Sequence, residues 1–323
     1  MRVLVTGASG MLGRETALAL ARRGDDVRVL QRRPAGLDGV QEVLGSVSDA
    51  AALERACEGV DAVVHLAAKV SITGPHEEYV ETNVRGTERL LAAARAAGAR
   101  RFVMVSSPSV AHGGSALVGV GTTPADPDAA HGSYAVTKAQ AELAALAADS
   151  PGFAVVAVRP HIVIGPGDTQ LVQRIADRAR AGRLPLLDDG TALIDTTYVD
   201  NAVDALVAAL DRAEDVHGQA FVVTNGEPRT VAEWLASICE AAGVPAPTRR
   251  VPSAVAKVAG SVVERVWTRL RVADEPPMTR FLAEQLSTAH WFEQRRTRQA
   301  LRWEPRVPLA EGFRRLAAGF EPR

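Results

Sequence analysis

Residues 2–13 read Arg2-Val3-Leu4-Val5-Thr6-Gly7-Ala8-Ser9-Gly10-Met11-Leu12-Gly13, a short apolar run that passes straight into a GxxGxxG pattern. A strand buried on both faces of a parallel sheet is apolar at consecutive positions, as Val3, Leu4 and Val5 are. The turn that follows needs glycine where the chain bends tightly, where backbone approaches a pyrophosphate, and where helix packs on strand. The first turn of the next helix then aims its free N–H groups at the phosphate charge. A glycine pattern alone is weak, because an ordinary strand-to-helix turn carries one too. Here the strand–turn–helix setting is complete, and it points to a dinucleotide site at Gly7, Ser9, Gly10, Met11, Leu12 and Gly13.

The same unit repeats outward from this start. Compact Val- and Leu-rich runs at Asp26–Leu30, Asp61–Leu66, Arg101–Ser106 and Ala154–Arg159 read as further parallel strands. Helical windows lie between them, the clearest from about His76 to Gly98, where Val80, Asn83, Val84, Thr87, Leu90, Leu91 and Ala94 share one face. Repeated β-α units imply an α/β fold with a doubly wound parallel sheet. A helix is expected at about Asp168–Ala181, and Val199–Ala213 reads as a helix returning to the main sheet. From about Thr230 the chain reads as mostly helical, punctuated by Pro245, Pro247, Pro252, Pro276 and Pro277. The expected division is a dinucleotide-binding domain over 1–160, rejoined by 198–224, and a smaller, mostly helical substrate domain from 161–197 and 225–323.

The 323 residues suggest about two domains at roughly 150 residues each. A formal charge of −1 argues against a nucleic-acid binder drawn by bulk charge. Cys57 and Cys239 form no redox or metal motif, and no pair of His or carboxylates has ligand spacing, so no metal is expected. The apolar run at the head of the chain is too short for a signal-peptide core. The longest uncharged stretch, Phe102 to Ala125, is broken by Ser, Gly, Pro and His. A soluble, cytoplasmic protein without a transmembrane segment is expected.

Two further clusters carry chemistry. The second strand ends on Gln31-Arg32-Arg33, where an enzyme selecting NAD usually places an acid against the ribose 2′-hydroxyl. Guanidiniums hold a 2′-phosphate instead, so NADP(H) is the expected cofactor. The second cluster is Tyr134-Ala135-Val136-Thr137-Lys138, in a chain with only three Tyr and three Lys. On a helix this spacing puts both side chains on one face, and an ammonium beside a phenol favours the phenolate. Ser106-Ser107 ends the fourth strand, where a parallel sheet presents its active site, and a hydroxyl there can bind a carbonyl oxygen.

The glycine motif, Asp61–Ala68, Asn83, Ser107, Tyr134/Lys138, Arg159-Pro160 and Gly165-Pro166-Gly167 together resemble the extended short-chain dehydrogenase/reductases over essentially the whole chain. Within that superfamily the chain is similar to the 3β-hydroxysteroid dehydrogenase-related branch. Ser106–His112, Arg159–His161 and Asp195–Asn201 are most similar to bacterial 2-alkyl-3-oxoalkanoate reductases of long-chain olefin biosynthesis. The resemblance implies that Tyr134 exchanges the proton, that Lys138 binds the nicotinamide ribose and lowers the pKa of Tyr134, and that Ser107 orients the ketone oxygen. It implies that Leu66, Ala67, Ala68, Asn83 and Pro160 shape the cofactor pocket. The family often has Asp where this chain has Ser46, leaving Ser46 to contact the adenine and Asp49 another role. Ile164 stands where sugar-nucleotide enzymes carry Tyr, which would make the mouth of the pocket apolar.

The resulting expectation is NADPH-dependent reduction of the 3-keto group of an apolar, long-chain 2-alkyl-3-oxoalkanoate to the 3-hydroxy acid. The alternatives are a 3β-hydroxysteroid dehydrogenase, a sugar-nucleotide epimerase, and an NADP-sensing binding protein that would have no use for the Ser–Tyr–Lys set. His161 is the best placed of His112, His131 and His161 to meet a substrate carboxylate. The uncharged segment Pro108–Ala125 reads as a loop bordering the substrate or a merely flexible one. Val255, Val258, Val262, Val266 and Leu270, with Lys257, Arg265, Arg269 and Arg271, read as a helix packed on the core or an amphipathic lid touching lipid or a partner enzyme of the same pathway. By resemblance, the helices at 76–98 and 132–149 would pair across a homodimer.

Overall fold

A computed structural model describes residues 1–71, 74–270 and 279–320. The strands of the first half are β1 (Arg2–Thr6), β2 (Asp26–Gln31), β3 (Gln41–Leu44), β4 (Ala62–His65), β5 (Arg101–Val105), β6 (Leu117–Val120) and β7 (Ala154–Pro160). Those of the second half are β8 (Val163–Ile164), β9 (Leu186–Leu187), β10 (Leu193–Ile194), β11 (Thr197–Tyr198), β12 (Gln219–Val223), β13 (Arg229–Thr230), β14 (Arg250–Val251) and β15 (His290–Phe292). A seven-stranded parallel sheet runs β12-β7-β5-β4-β1-β2-β3. Its order reverses between β1 and β4, so a crevice opens there beyond the strand C-termini. Val3 stands opposite Val27 and Ala62, and Val5 opposite Val29 and Val64, which fixes the register of the three central strands.

The strand runs are apolar because both faces of the sheet are covered. The helices of the first half are α1 (Met11–Arg22), α2 (Ala50–Cys57), α3 (His76–Tyr79), α4 (Gly86–Ala96) and α5 (Gly132–Ala147). Further on come α6 (Val172–Arg180), α7 (Val199–Asp211), α8 (Ala213–Val216), α9 (Val231–Ala241), α10 (Ser253–Leu270) and α11 (Arg280–Gln285). Leu20 of α1 and Leu206 and Leu210 of α7 share one core with Val3, Val5, Val27 and Val29. Leu53, Leu90, Leu91, Ala141 and Ala145 form the opposite core with Leu4, Val63 and Phe102. Each fully buried Leu contributes about 1.5–3 kcal/mol relative to exposure.

Several expectations need correction. The helix expected from His76 to Gly98 is interrupted by a π-helical stretch, Val80–Arg85, before α4 resumes; Gly98 does close it, at φ +83°. A π turn inserts one extra residue and re-aims the side chains that follow, here around Asn83. The segment 108–125 is not a plain loop. It holds a 3₁₀ turn (Pro108–Ala111) and β6, which pairs in parallel with β15. Gly119 makes this possible: it sits at φ +62°, and a Cβ there would stand 2.7 Å from the Trp291 ring at a register shift. β6 thereby joins a second sheet, β13-β10-β15-β6, so the later part of the chain is less purely helical than its prolines suggested.

The valine face of α10 points outward. Val255, Val258, Val262 and Val266 are all exposed, and the helix instead packs through Ala256 and Gly260. At Gly260 a Cβ would fall 2.5 Å from the backbone of Thr279, so only glycine lets the start of α11 lie this close. The side chains of Arg269 and Leu270, and all of Arg271, Pro276 and Pro277, lie outside the described residues. Among those described, no helix is long and apolar enough to cross a membrane.

Candidate active site

The glycine loop leaves β1 with each glycine constrained differently. Gly7 adopts φ +79°, and a Cβ there would stand 2.8 Å from the Ala67 nitrogen, so it permits both the turn and the approach of β4's exit. A Cβ at Gly13 would lie 2.3 Å from the Gly7 carbonyl oxygen, which makes it the helix-to-strand packing glycine. Gly10, the N-cap of α1, meets only Gly7 O at 3.6 Å and leaves the cradle open. Open backbone at a helix N-terminus, flanked by two glycines packed against backbone, fits a pyrophosphate. Met11 and Leu12 open the helix beside it, half-buried, and Ser9 is exposed.

Arg32 and Arg33 are exposed at the end of β2 and, with Ser9, line a cavity of about 390 Å³. The nearby acid, Glu42, is engaged: it accepts from the Gln31 amide at 3.2 Å and from the N–H groups of Ala35 and Gly36. Gln31 is itself buried. Ser46 follows Gly45 beyond β3, half-buried, with its hydroxyl accepting from Ser48 N–H. Asp49 caps α2 by accepting from Ala52 N–H at 3.1 Å, so its other role is structural.

A buried polar chain ties the glycine loop to the π turn. Thr87 Oγ1 donates to the Asn83 carbonyl at 2.6 Å, so it must accept from His65 Nε2–H at 2.9 Å. That tautomer leaves His65 Nδ1 to accept from Thr6 Oγ1 at 2.7 Å, and Thr6 Oγ1 in turn receives Ala67 N–H. Burial holds the pKa of His65 down to about 3, which keeps the chain neutral. Asn83 clamps the segment after β4, accepting from Lys69 N–H at 2.7 Å and donating to Lys69 O and Thr137 Oγ1. Leu66, Ala67 and Ala68, half-buried on that segment, are thereby set beside the loop.

Ser107, Tyr134 and Lys138 come together as the spacing implied. Ser107 follows β5 in extended backbone, and its Oγ receives both Ser109 N–H and Ser109 Oγ–H, the latter at 3.0 Å. Its own hydroxyl proton is therefore free to be donated elsewhere, and Tyr134 shares the cavity wall with it. Lys138, almost fully buried, donates to the Val105 carbonyl at 2.6 Å. Burial lowers its pKa to about 8, against the pull of Glu142 one turn on. The phenol of Tyr134 moves opposite to expectation. Burial raises it to about 12, and only the Ser107 hydrogen bond lowers it.

Beneath them lies a pair the sequence reading missed. Arg159 donates through Nε and Nη2 to both oxygens of Glu142, each side chain 1% exposed, and through Nη1 to the Thr123 carbonyl at 2.7 Å. The signal was available: a charged residue inside the otherwise apolar β7 has to be paired.

Ser107 and Tyr134 open onto a cavity of about 230 Å³ with largely apolar walls, including Leu171, Ile175, Trp234, Leu235 and Leu286. His161 lies in its wall, Nδ1 donating to the Asp195 carbonyl at 2.6 Å. Pro160 ends β7 just before it, buried. Ile164 does not reach the cavity. It is fully buried in the core with Tyr198 and Val199, and Ile162, held at φ +42°, lines the wall instead. In the Asp195–Asn201 segment, Asn201 binds Arg306 N–H, Val307 N–H and Val307 O, an architectural clasp and not a contact to the cavity.

Residues 3–224 match the model of the NAD dependent epimerase/dehydratase family. The chain belongs to that family. This epimerase/dehydratase chain is 40% identical over 327 residues to a 2-alkyl-3-oxoalkanoate reductase of Stenotrophomonas maltophilia (strain K279a), covering 98% of this chain and 99% of the relative. It is 31% identical over 325 residues to a 3 beta-hydroxysteroid dehydrogenase/Delta 5-->4-isomerase of Mycobacterium tuberculosis (strain ATCC 25618 / H37Rv), covering 94% and 86%. A solved structure of MoeE5 in complex with UDP-glucose and NAD superposes with a TM-score of 0.77 at 26% identity, over 99% of this chain and 98% of that one. As an extended short-chain dehydrogenase/reductase of this family, the chain is a nicotinamide-dependent oxidoreductase.

Proposed function

We propose that this enzyme reduces the 3-keto group of a long-chain 2-alkyl-3-oxoalkanoate with NADPH, giving the 3-hydroxy acid of a lipid or olefin pathway. The observation that carries this reading is one apolar cavity with the Ser107 and Tyr134 hydroxyls in its wall. Leu171, Ile175, Trp234, Leu235 and Leu286 suit alkyl chains. The similarity to a reductase of that name supports the choice of substrate. Residues 1–160 with 198–224 would bind the dinucleotide, and 161–197 with 225–323 the substrate. The expected cytoplasmic homodimer, paired through α4 and α5, belongs to the same reading.

The loop over Gly7, Gly10 and Gly13 would hold the pyrophosphate, Arg32 and Arg33 the 2′-phosphate, and Ser46 the adenine side. Leu66–Ala68, Asn83 and Pro160 would border the nicotinamide half. A bound nicotinamide supplies the hydride to the carbonyl carbon. Ser107 Oγ–H donates to the carbonyl oxygen and polarises it. Tyr134, protonated across the neutral range by its burial, delivers its Oη proton to that oxygen as it gains charge. Lys138, one turn along α5, would bind the nicotinamide ribose and holds this face of the helix against the Val105 carbonyl.

The test is oxidation in the reverse direction, because free 3-oxo acids decarboxylate. The expected result is turnover of a long-chain 2-alkyl-3-hydroxyalkanoic acid with NADP⁺ and little with a 3β-hydroxysteroid. Turnover of the steroid alone would overturn the substrate.

A further inference from the structure

One residue of the cavity wall is held in a backbone conformation that its side chain disfavours. Among the described residues, three that are not glycine have a positive φ: Ile162 at +42°, Asp188 at +50° and Arg302 at +50°. Two of these have a local reason. Asp enters this region more readily than most residues, and the Asp188 carboxylate accepts from Ser253 N–H at 2.8 Å. Arg302 is the left-handed residue that ends the helix Arg295–Leu301, a common closure. Ile162 caps no helix, and a β-branched side chain at positive φ is a genuine outlier.

Its neighbours hold it there. Thr197 N–H donates to the Ile162 carbonyl at 3.2 Å, and Thr197 Oγ1 donates to the His161 carbonyl at 2.9 Å. His161 N–H donates to the Val223 carbonyl at 3.0 Å, and its ring to the Asp195 carbonyl at 2.6 Å. Strain of this kind persists only where the surroundings over-determine it, and it clusters at functional sites. The left-handed conformation weakens the folded-to-unfolded ratio by about tenfold, so something must favour keeping isoleucine. The packing says what. Ile162 is half-buried against the apolar cluster that contains Ile175, Trp234 and Leu235, and those three residues also line the cavity, as Ile162 does. With its carbonyl turned to Thr197, the group it contributes to that wall is its branched alkyl chain. Asn, close to it in size, would accept the backbone more readily but would put an amide there.

We infer that Ile162 is a specificity-determining residue: it keeps the cavity wall apolar at a position whose backbone favours Gly, Asn or Asp, and so selects substrates that lay an alkyl group against this wall. This deepens the reading of the cavity as a site for alkyl ketones and rests on it. Stability is given up at Ile162 for selectivity, so the two properties should respond differently to substitution there.

The experiment pairs urea unfolding with binding of 1-decanol to the full chain, read by calorimetry and by tryptophan fluorescence, since Trp234 lines the cavity. Wild type is expected to bind decanol saturably. Ile162→Asn should keep a midpoint near wild type, because relief of the backbone offsets lost packing, while decanol affinity falls at least about tenfold. Ile162→Leu, apolar but not β-branched, should keep or raise the midpoint and hold decanol affinity within about threefold. Midpoints that fall in both variants, decanol affinity unchanged in Ile162→Asn, or no saturable decanol binding by wild type would each overturn the assignment. Decanol selection through Ile162 in a chain that turns over no 3-hydroxy acid would overturn the proposed activity and leave this role standing. Turnover of the hydroxy acid with an unchanged KM in Ile162→Asn would overturn the role alone.

Discussion

The ammonium of Lys138 donates to the Val105 carbonyl at 2.6 Å, which fastens the face of α5 that carries Tyr134 to the last residue of β5. Ser107 lies two residues beyond Val105, so one hydrogen bond fixes the spacing between the Ser and Tyr hydroxyls. Lys138→Met should lower turnover by about 10²-fold or more, within the range of a lost acid–base element. It should also weaken the Tyr134–Ser107 contact. Lys138→Arg, with its wider, planar head, should not restore activity. Steady-state rates for the two variants check this.

Gly13 and Gly10 separate folding from binding. Gly13→Ala forces a Cβ onto the Gly7 carbonyl, and a loss of about 1–3 kcal/mol of stability is expected. Gly10→Ala meets no such clash, so its denaturation midpoint should stay near wild type while dinucleotide affinity falls. Urea unfolding and cofactor titration of both variants distinguish the two roles.

Arg32→Asp should weaken NADPH by about ten- to a hundredfold through the lost charge-assisted bond, and leave NADH within about threefold. Fluorescence titration with each nucleotide is the check. Equal weakening of both would remove the 2′-phosphate from the account.

Arg159 and Glu142 form the buried charge pair under α5. Removing one partner strands the other, and Arg159→Met should cost about 3–5 kcal/mol. The double variant Arg159→Met/Glu142→Leu should be less destabilised than Arg159→Met alone. Denaturation midpoints of the three proteins decide it.

Acid should unfold this protein through its histidines. His65, His161 and His290 are held at about 3, 4 and 3 by burial, well below an unfolded imidazole near 6.5. Between those values the unfolded chain binds more protons, so stability falls as pH drops below about 6.5. Each contributes a slope of about 1.4 kcal/mol per pH unit. Asp195 works the other way: burial raises its carboxyl to about 6, so the folded state holds its extra proton between about 4 and 6. Asp195→Asn should therefore steepen the acid loss. Urea midpoints at pH 7 and 5 measure both slopes.

The parts legible in the sequence were those set by local rules. β1 was legible because a strand covered on both faces is apolar at consecutive positions, as Val3, Leu4 and Val5 are. That Tyr134, Lys138 and Ser107 lie near one another was legible because helical spacing and strand-end position are local too. β3 was missed because Gln41-Glu42-Val43-Leu44 lies at the sheet edge and keeps polar residues. β6 and His290 depend on a pairing between segments about 170 residues apart, which no window of sequence contains. The exposed valines of α10 share the periodicity of a core helix; only Gly260 against Thr279 shows which face packs.

The most direct test of the central claim compares wild type with Tyr134→Phe in the oxidation of a long-chain 2-alkyl-3-hydroxyalkanoic acid by NADP⁺, with NADPH binding measured on the same samples. The account predicts turnover by wild type, a loss of about 10²–10⁴-fold in the variant, and NADPH affinity nearly unchanged. A variant that keeps wild-type turnover would contradict it.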